Sequence, residues 1–377
     1  MFIHTMIEKI FKYEVLLILE NCSKVIKVVI TKRREEKHMR LTLEQVKTIT
    51  KGAVRVLEEN DGFKLFRFTE EQMELYKQAK PALCAKTFCT SGMRFVFKTD
   101  SRTLSLKAVV SRRSSRTYFS FDVFKDGQLV GYLDNFTGVD LPKKYATFPL
   151  PLGEVSKTFE LGEGIKTITV YLPWNVEVLF EEIAIDDGAF IESIKTDKML
   201  LVYGDSITQG FDALRPSNRY AARIADSLGA EEINKAIGGE VFFPELAETD
   251  EDFVPDYITV AYGTNDWSKK PRDTFKTNSK KFYTILSKKY PNTKIFAITP
   301  IWRKDHQEYR EYGQFEDVIN DMQEAVRGLE NVYFIKGIDF VPKDENYFAD
   351  LRLHPNDEGF DYYFKGLNAE IQKKLKE

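Results

Sequence analysis

Two rhythms of apolar and polar residues divide the chain. Between about residues 85 and 192 apolar positions alternate with polar ones: Phe95 and Phe97, Leu104 and Leu106, Phe119, Phe121 and Val123, Ile168, Val170 and Leu172, then Val178, Phe180, Ile183 and Ile185. Period-2 alternation puts every second side chain on one face of a strand. Asp126-Gly127, lying between two such runs, is hairpin chemistry. Many short strands in series predict a β-sandwich or jelly roll. After about Thr196 apolar runs predict strands at 199–205, 231–236, 256–263, 293–300 and 331–336, with helices at 217–228, 273–290, 309–328 and 357–375. This alternation predicts an α/β domain, a doubly wound parallel sheet with helices on both faces and functional residues at its carboxyl edge. Residues 39–79 mix a helix at 42–50, a strand pair around Asn60-Asp61-Gly62 and a helix from Thr69.

The predicted organisation is therefore an N-terminal domain at 39–195 and a second domain at 196–377. Residues 1–38 read differently. They end in Lys32-Arg33-Arg34-Glu35-Glu36-Lys37-His38 before Met39. If Arg33 and Arg34 are encoded AGG-AGG, the RNA is a purine-rich ribosome-binding sequence just upstream of an ATG. Residues 1–38 are then a translated, poorly packed leader with Met39 as the start.

With 377 residues, 30% charged positions and a net charge of −3, the balance gives no reason to expect nucleic acid as a partner. The densest basic run, Ser111-Arg112-Arg113-Ser114-Ser115-Arg116, reads as a solvated loop. The early apolar run at 15–19 is too short for a signal peptide, and no stretch is long enough to span a bilayer, so the expected compartment is the cytoplasm. Three cysteines form no even disulfide framework and no zinc spacing. The expectation is no metal and no cofactor.

Four motifs carry chemistry. Gly204-Asp205-Ser206-Ile207-Thr208-Gln209-Gly210 follows an apolar strand, so Ser206 sits on a small-residue turn beside backbone N–H groups able to receive an oxyanion. Ile233-Asn234-Lys235-Ala236-Ile237-Gly238-Gly239, Val260-Ala261-Tyr262-Gly263-Thr264-Asn265-Asp266 and Leu353-His354-Pro355-Asn356-Asp357 follow in that order. They supply a hydroxyl, two glycine backbones, an amide and a late imidazole, the inventory of acyl transfer. Of the four histidines, His4 and His38 precede any folded-looking region, and His306 is the second candidate for the base.

In this order the motifs resemble the SGNH, or GDSL-type, hydrolase superfamily from about residue 198 to the C-terminus. The resemblance implies Ser206 as nucleophile and His354 as general base, with the Ser206 and Gly239 N–H groups and the Asn265 amide as the oxyanion hole. The family's acid sits three residues before the histidine. Here that residue is Leu351, and Asp350 lies one earlier. Either the loop bulges so that Asp350 still reaches His354, or a backbone carbonyl orients a Ser–His dyad; the bulge is the expectation. Asp205 and Asp266 read as braces of their turns. A β domain ahead of such a hydrolase also resembles carbohydrate esterase family 2, together with Pro300-Ile301-Trp302-Arg303. That resemblance implies deacetylation of a small or oligosaccharide ester, with Trp302, Trp267 and Arg303 as substrate contacts. Domain packing for the tryptophans and an ion pair of Arg303 with Asp305 or Glu308 are the competing roles. Two other functions stay open: a lipase- or thioesterase-like acylhydrolase with a trough lined by Phe211, Phe242 and Phe243, and a carbohydrate-binding protein on a degenerate scaffold.

Overall fold

The computed structural model describes the main chain of residues 13–18 and 27–32 and all of residues 38–376. Tyr13–Ile18 and Lys27–Lys32 pair as antiparallel strands. The leader reading of residues 1–38 otherwise lies outside the described residues, as does Cys22.

Residues 38–193 contribute two six-stranded antiparallel sheets. The alternation is what builds them: in Arg94–Thr99, Phe95 and Phe97 point inward, and in Ser120–Lys125, Phe121 and Val123 do the same. These side chains meet Leu106, Val110, Phe180 and Ile183 of the facing sheet in one apolar core. Asn60-Asp61 and Asp126-Gly127 all take positive φ, the requirement of a two-residue hairpin turn. Thr42 and Thr69 cap the helices Leu43–Ile49 and Glu70–Ala79 through capping boxes with Gln45 and Gln72.

The second half is a five-stranded, all-parallel sheet. Its strands are Lys198–Gly204, Ala230–Asn234, Tyr257–Ala261, Lys294–Ile298 and Val332–Ile335, in the spatial order second, first, third, fourth, fifth. The order reverses beside Lys198–Gly204, and crevices at such a switch point open at the strands' carboxyl ends. Separate apolar clusters cover the two faces, one with Phe275, Phe282 and Leu286 of the helix Arg272–Lys289, the other with Tyr220, Phe360 and Leu367. The helix expected at 309–328 is shorter, Phe315–Ala325. Gly313 at φ +121° and the Gln314–Asp317 capping box start it late.

The two halves interlock. Arg67, wholly buried, donates to the carbonyls of Cys89, Lys86, Asn234 and Ala236. Phe68 and Tyr76, early in the chain, pack into the core beneath the parallel sheet. Among the described residues no helix is long and apolar enough to cross a membrane.

Candidate active site

Ser206 opens the four-residue helix Ser206–Gln209 directly after the first strand of the parallel sheet. Asp205 caps this turn by accepting from the Ile207 N–H at 3.0 Å. Burial pushes the Asp205 carboxyl up to about 6, against that hydrogen bond and the His354 and Lys269 charges. The Gln209 side chain ties the turn to two neighbours: it accepts from Gly238 N–H at 2.7 Å and donates to the Trp174 carbonyl at 3.0 Å. Gln209 lay inside the motif that picked out Ser206, yet nothing in its spacing disclosed this bridging.

His354, 148 residues away in sequence, holds its Nε2 at 2.8 Å from Ser206 Oγ. Its Nδ1 lies 2.8 Å from Asp350 Oδ2. The additional residue in the loop is absorbed at Leu351, whose φ is +57°. With that left-handed step Asp350 Oδ1 accepts the N–H groups of Arg352, Leu353 and His354 at 2.9, 2.7 and 3.1 Å. Burial works to raise the Asp350 pKa, but the His354 hydrogen bond and charge and these N–H groups outweigh it, holding the carboxyl well below the usual range. The Asn356 side chain caps the helix that follows, and Asp357 instead accepts from Leu214 N–H at 2.9 Å, tying the histidine loop to the nucleophile loop. His306 is elsewhere: its Nδ1 faces the Arg303 carbonyl at 3.0 Å and its ring meets Trp302.

Among the described residues neither the Ser206 nor the Gly239 N–H is paired with an acceptor. Gly239 has φ +91°, and Lys269 Nζ donates to its carbonyl at 2.9 Å, while Lys86 Nζ donates to the Gly238 carbonyl. A Cβ on Gly238 would come within 2.6 Å of the Phe211 ring, so that position has no room for a side chain. Asn265 stands in the first turn of Thr264–Lys269, and its Nδ2 donates to the Glu240 carbonyl at 3.0 Å. Asp266, buried, accepts from Phe242 N–H at 3.1 Å and braces the same loop.

Two of the three expected substrate contacts, Trp267 and Arg303, are corrected. Trp267 is 1% exposed: Arg303 and Arg310 cover its ring, Phe315 meets its edge, and its Nε1 donates to the Gly313 carbonyl. Arg303 is buried and occupied by Asp305, at 2.5 and 2.9 Å, and by Thr264 and Ser268. Trp302 is buried against Phe348 and His306. Trp267 and Arg303 are packing residues because their polar groups, and the ring faces of Trp267, are already taken. The basic run is corrected as well: Ser114 and Arg116 are buried, and Arg116 pairs with Asp212 at 2.6 Å beside the site.

The arrangement joins a hydroxyl, an imidazole and a carboxylate in one hydrogen-bonded line, next to free N–H donors. Residues 202–362 match the GDSL-like lipase/acylhydrolase family. No curated protein matches this chain. The fold as a whole recurs in solved structures. Salicylyl-acyltransferase SsfX3 of a tetracycline biosynthetic pathway is 19% identical with TM-score 0.71, over 86% of this chain and 94% of that one. A GDSL-like lipase of Bacteroides ovatus is 22% identical with TM-score 0.69, over 90% and 98%. An acetyl xylan esterase of Butyrivibrio proteoclasticus is 16% identical with TM-score 0.57, over 90% and 99%. These likenesses establish the fold; the GDSL-type motifs of this chain carry the chemistry.

Proposed function

We propose that this protein is a serine ester hydrolase that removes small acyl groups, acetyl foremost, from a carbohydrate or related polyol. The observation that carries the reading is the unbroken hydrogen-bonded line from Ser206 through His354 to Asp350. Ser206 Oγ attacks the ester carbonyl as His354 Nε2 takes its proton. The negative charge that develops on the carbonyl oxygen meets the N–H groups of Ser206 and Gly239 and the Asn265 amide. His354 then returns the proton to the departing alcohol, and water, deprotonated by the same imidazole, releases the acyl group from Ser206. The ester-hydrolase chemistry is supported by the GDSL-like family match. The acetyl and carbohydrate choice is supported by the likeness of the whole fold to carbohydrate esterases.

The phenylalanines that would line a long-chain trough are engaged elsewhere. Phe242 and Phe243 are buried among Tyr76, Tyr262, Phe275 and Phe282, and Phe211 packs between Trp174 and the His354 ring. The long-chain acylhydrolase reading therefore loses its wall. A degenerate, purely sugar-binding scaffold has no use for a complete Ser–His–Asp line. A kcat/KM profile over p-nitrophenyl esters of increasing chain length, followed by acetate release from acetylated mono- and oligosaccharides, tests the proposal. Preference for acetate and release from sugars are expected; a preference for octanoate would overturn it.

A further inference from the structure

His354 faces a second carboxylate besides Asp350. Asp212 Oδ2 lies 3.5 Å from His354 Nδ1, the same nitrogen that Asp350 Oδ2 meets at 2.8 Å. Asp212 is wholly buried, and its backbone takes φ +75°, a left-handed conformation that aspartate tolerates better than most residues. The β domain encloses it. Arg116 clamps it bidentately at 2.6 and 3.0 Å, Tyr118 donates its hydroxyl at 2.5 Å, and Tyr145 donates to its carbonyl oxygen at 2.7 Å. The Arg116 guanidinium also lies over the Phe211 ring, which packs against both Trp174 and the imidazole.

We propose that Asp212 is a second positioning carboxylate for His354, held in place by Arg116 and Tyr118 of the β domain, so that the hydrolytic site is complete only with both domains docked. The inference rests on the reading of His354 as general base. The charges that face the imidazole are Asp350 on its own loop, Asp205 and Asp212 on the nucleophile loop, and Arg116 from the β domain, with the Tyr118 hydroxyl bound to Asp212. Two carboxylates at one Nδ1 would ordinarily oppose each other's ionisation. Arg116 compensates one of them. Asp350, Asp212 and Arg116 together then carry one net formal negative charge, which the imidazolium formed during proton transfer offsets. A simple interdomain ion pair would need neither the left-handed turn of Asp212 toward the histidine nor the second carboxylate.

The test is the pH profile of kcat/KM on p-nitrophenyl acetate for wild type, Asp212→Asn, Asp212→Glu, Asp350→Asn and Ser206→Ala, with near-ultraviolet circular dichroism as a check of packing. Asp212→Asn should move the acid limb down by about one pH unit, because the imidazolium loses a negative neighbour, while Asp212→Glu should keep it. An unmoved limb in a folded Asp212→Asn protein would overturn the proposal. Should Asp212→Asn fail to fold, Asp350→Asn decides. Its side chain still offers an acceptor to the three loop N–H groups, and with Asp212 in reserve it should lose less than about 10³-fold in kcat. A larger loss, of the order seen where one aspartate alone orients the histidine, about 10⁴-fold, means Asp212 gives no support. Retained activity in Ser206→Ala would instead sink the underlying reading of the site, whatever the Asp212 variants do.

Discussion

At the scale of single residues, the site is a set of donors and acceptors whose partners leave specific valences free. Asn265 spends one amide hydrogen on the Glu240 carbonyl, which fixes the plane of the amide and leaves the other free; in the proposed mechanism that hydrogen meets charge that exists only in the transition state. Asn265→Ala should therefore lower kcat by about 10²–10³ with little change in KM; a pure KM effect in steady-state kinetics would mean that Asn265 binds ground-state substrate. Asp266, one residue on, is structural and has its own signature. Burial, with some help from nearby Asp205, pushes its carboxyl up to about 7 against the Phe242 N–H. In the unfolded chain it titrates near ~3.9. Between those values the folded protein holds the extra proton, so the contribution of Asp266 to stability declines as pH rises from about 4 to about 7 and stays low above that. Asp266→Asn removes this titration and should shrink the fall in Tm between pH 5 and pH 8. A variant whose Tm follows the wild-type pH dependence would show that Asp266 is ionised throughout.

At the scale of elements, one loop decides whether the acid reaches the base. The segment Asp350-Leu351-Arg352-Leu353-His354 is held by Leu351 N–H donating to the Phe348 carbonyl and by Ala349 N–H donating to the His354 carbonyl, both at 2.9 Å. Leu351 supplies the positive φ. Leu351→Gly should keep kcat within about threefold, since glycine enters that region freely. Leu351→Pro can neither adopt positive φ nor donate to Phe348, and should cost at least as much kcat as Asp350→Ala. Equal activity of the two variants would mean the loop's conformation is irrelevant to the relay. The sequence disclosed that a residue was inserted, because the spacing of Asp350 to His354 is visible in it. It did not disclose how the chain absorbs the insertion, since a leucine in the left-handed region has no signal in composition or period. The strands of the parallel sheet were legible within one or two residues from their apolar runs, and the hairpins from Asn60-Asp61-Gly62 and Asp126-Gly127. The helix at Phe315–Ala325 was over-extended because the polar residues ahead of it do not break a helical period until Gly313.

At the scale of the whole molecule, what the sequence hid is the traffic between the antiparallel and parallel halves. Arg67, Lys86, Arg116 and Tyr118 lie far from Ser206 in sequence, yet they hold the glycine loop, the strand end at Asn234 and Asp212. A charge run such as Ser111–Arg116 reads as solvated by default, and only docking against a buried acid makes Arg116 an interior residue. The same blindness misassigned Trp267 and Arg303, which stand at a strand's carboxyl edge but fill their hydrogen bonds within the domain. The meeting of Ser206 and His354 was expected from the order of the motifs, which the chain displays directly. The central claim is that Ser206 is the nucleophile of an acyl-enzyme reaction. Peptide mass mapping after treatment with a fluorophosphonate tests it most directly, with activity followed on the same sample. A single adduct on Ser206 that grows in step with loss of esterase activity, and is absent in Ser206→Ala, is the expected result. Full inactivation with Ser206 unmodified, or turnover in Ser206→Ala above about a tenth of wild type, would contradict it.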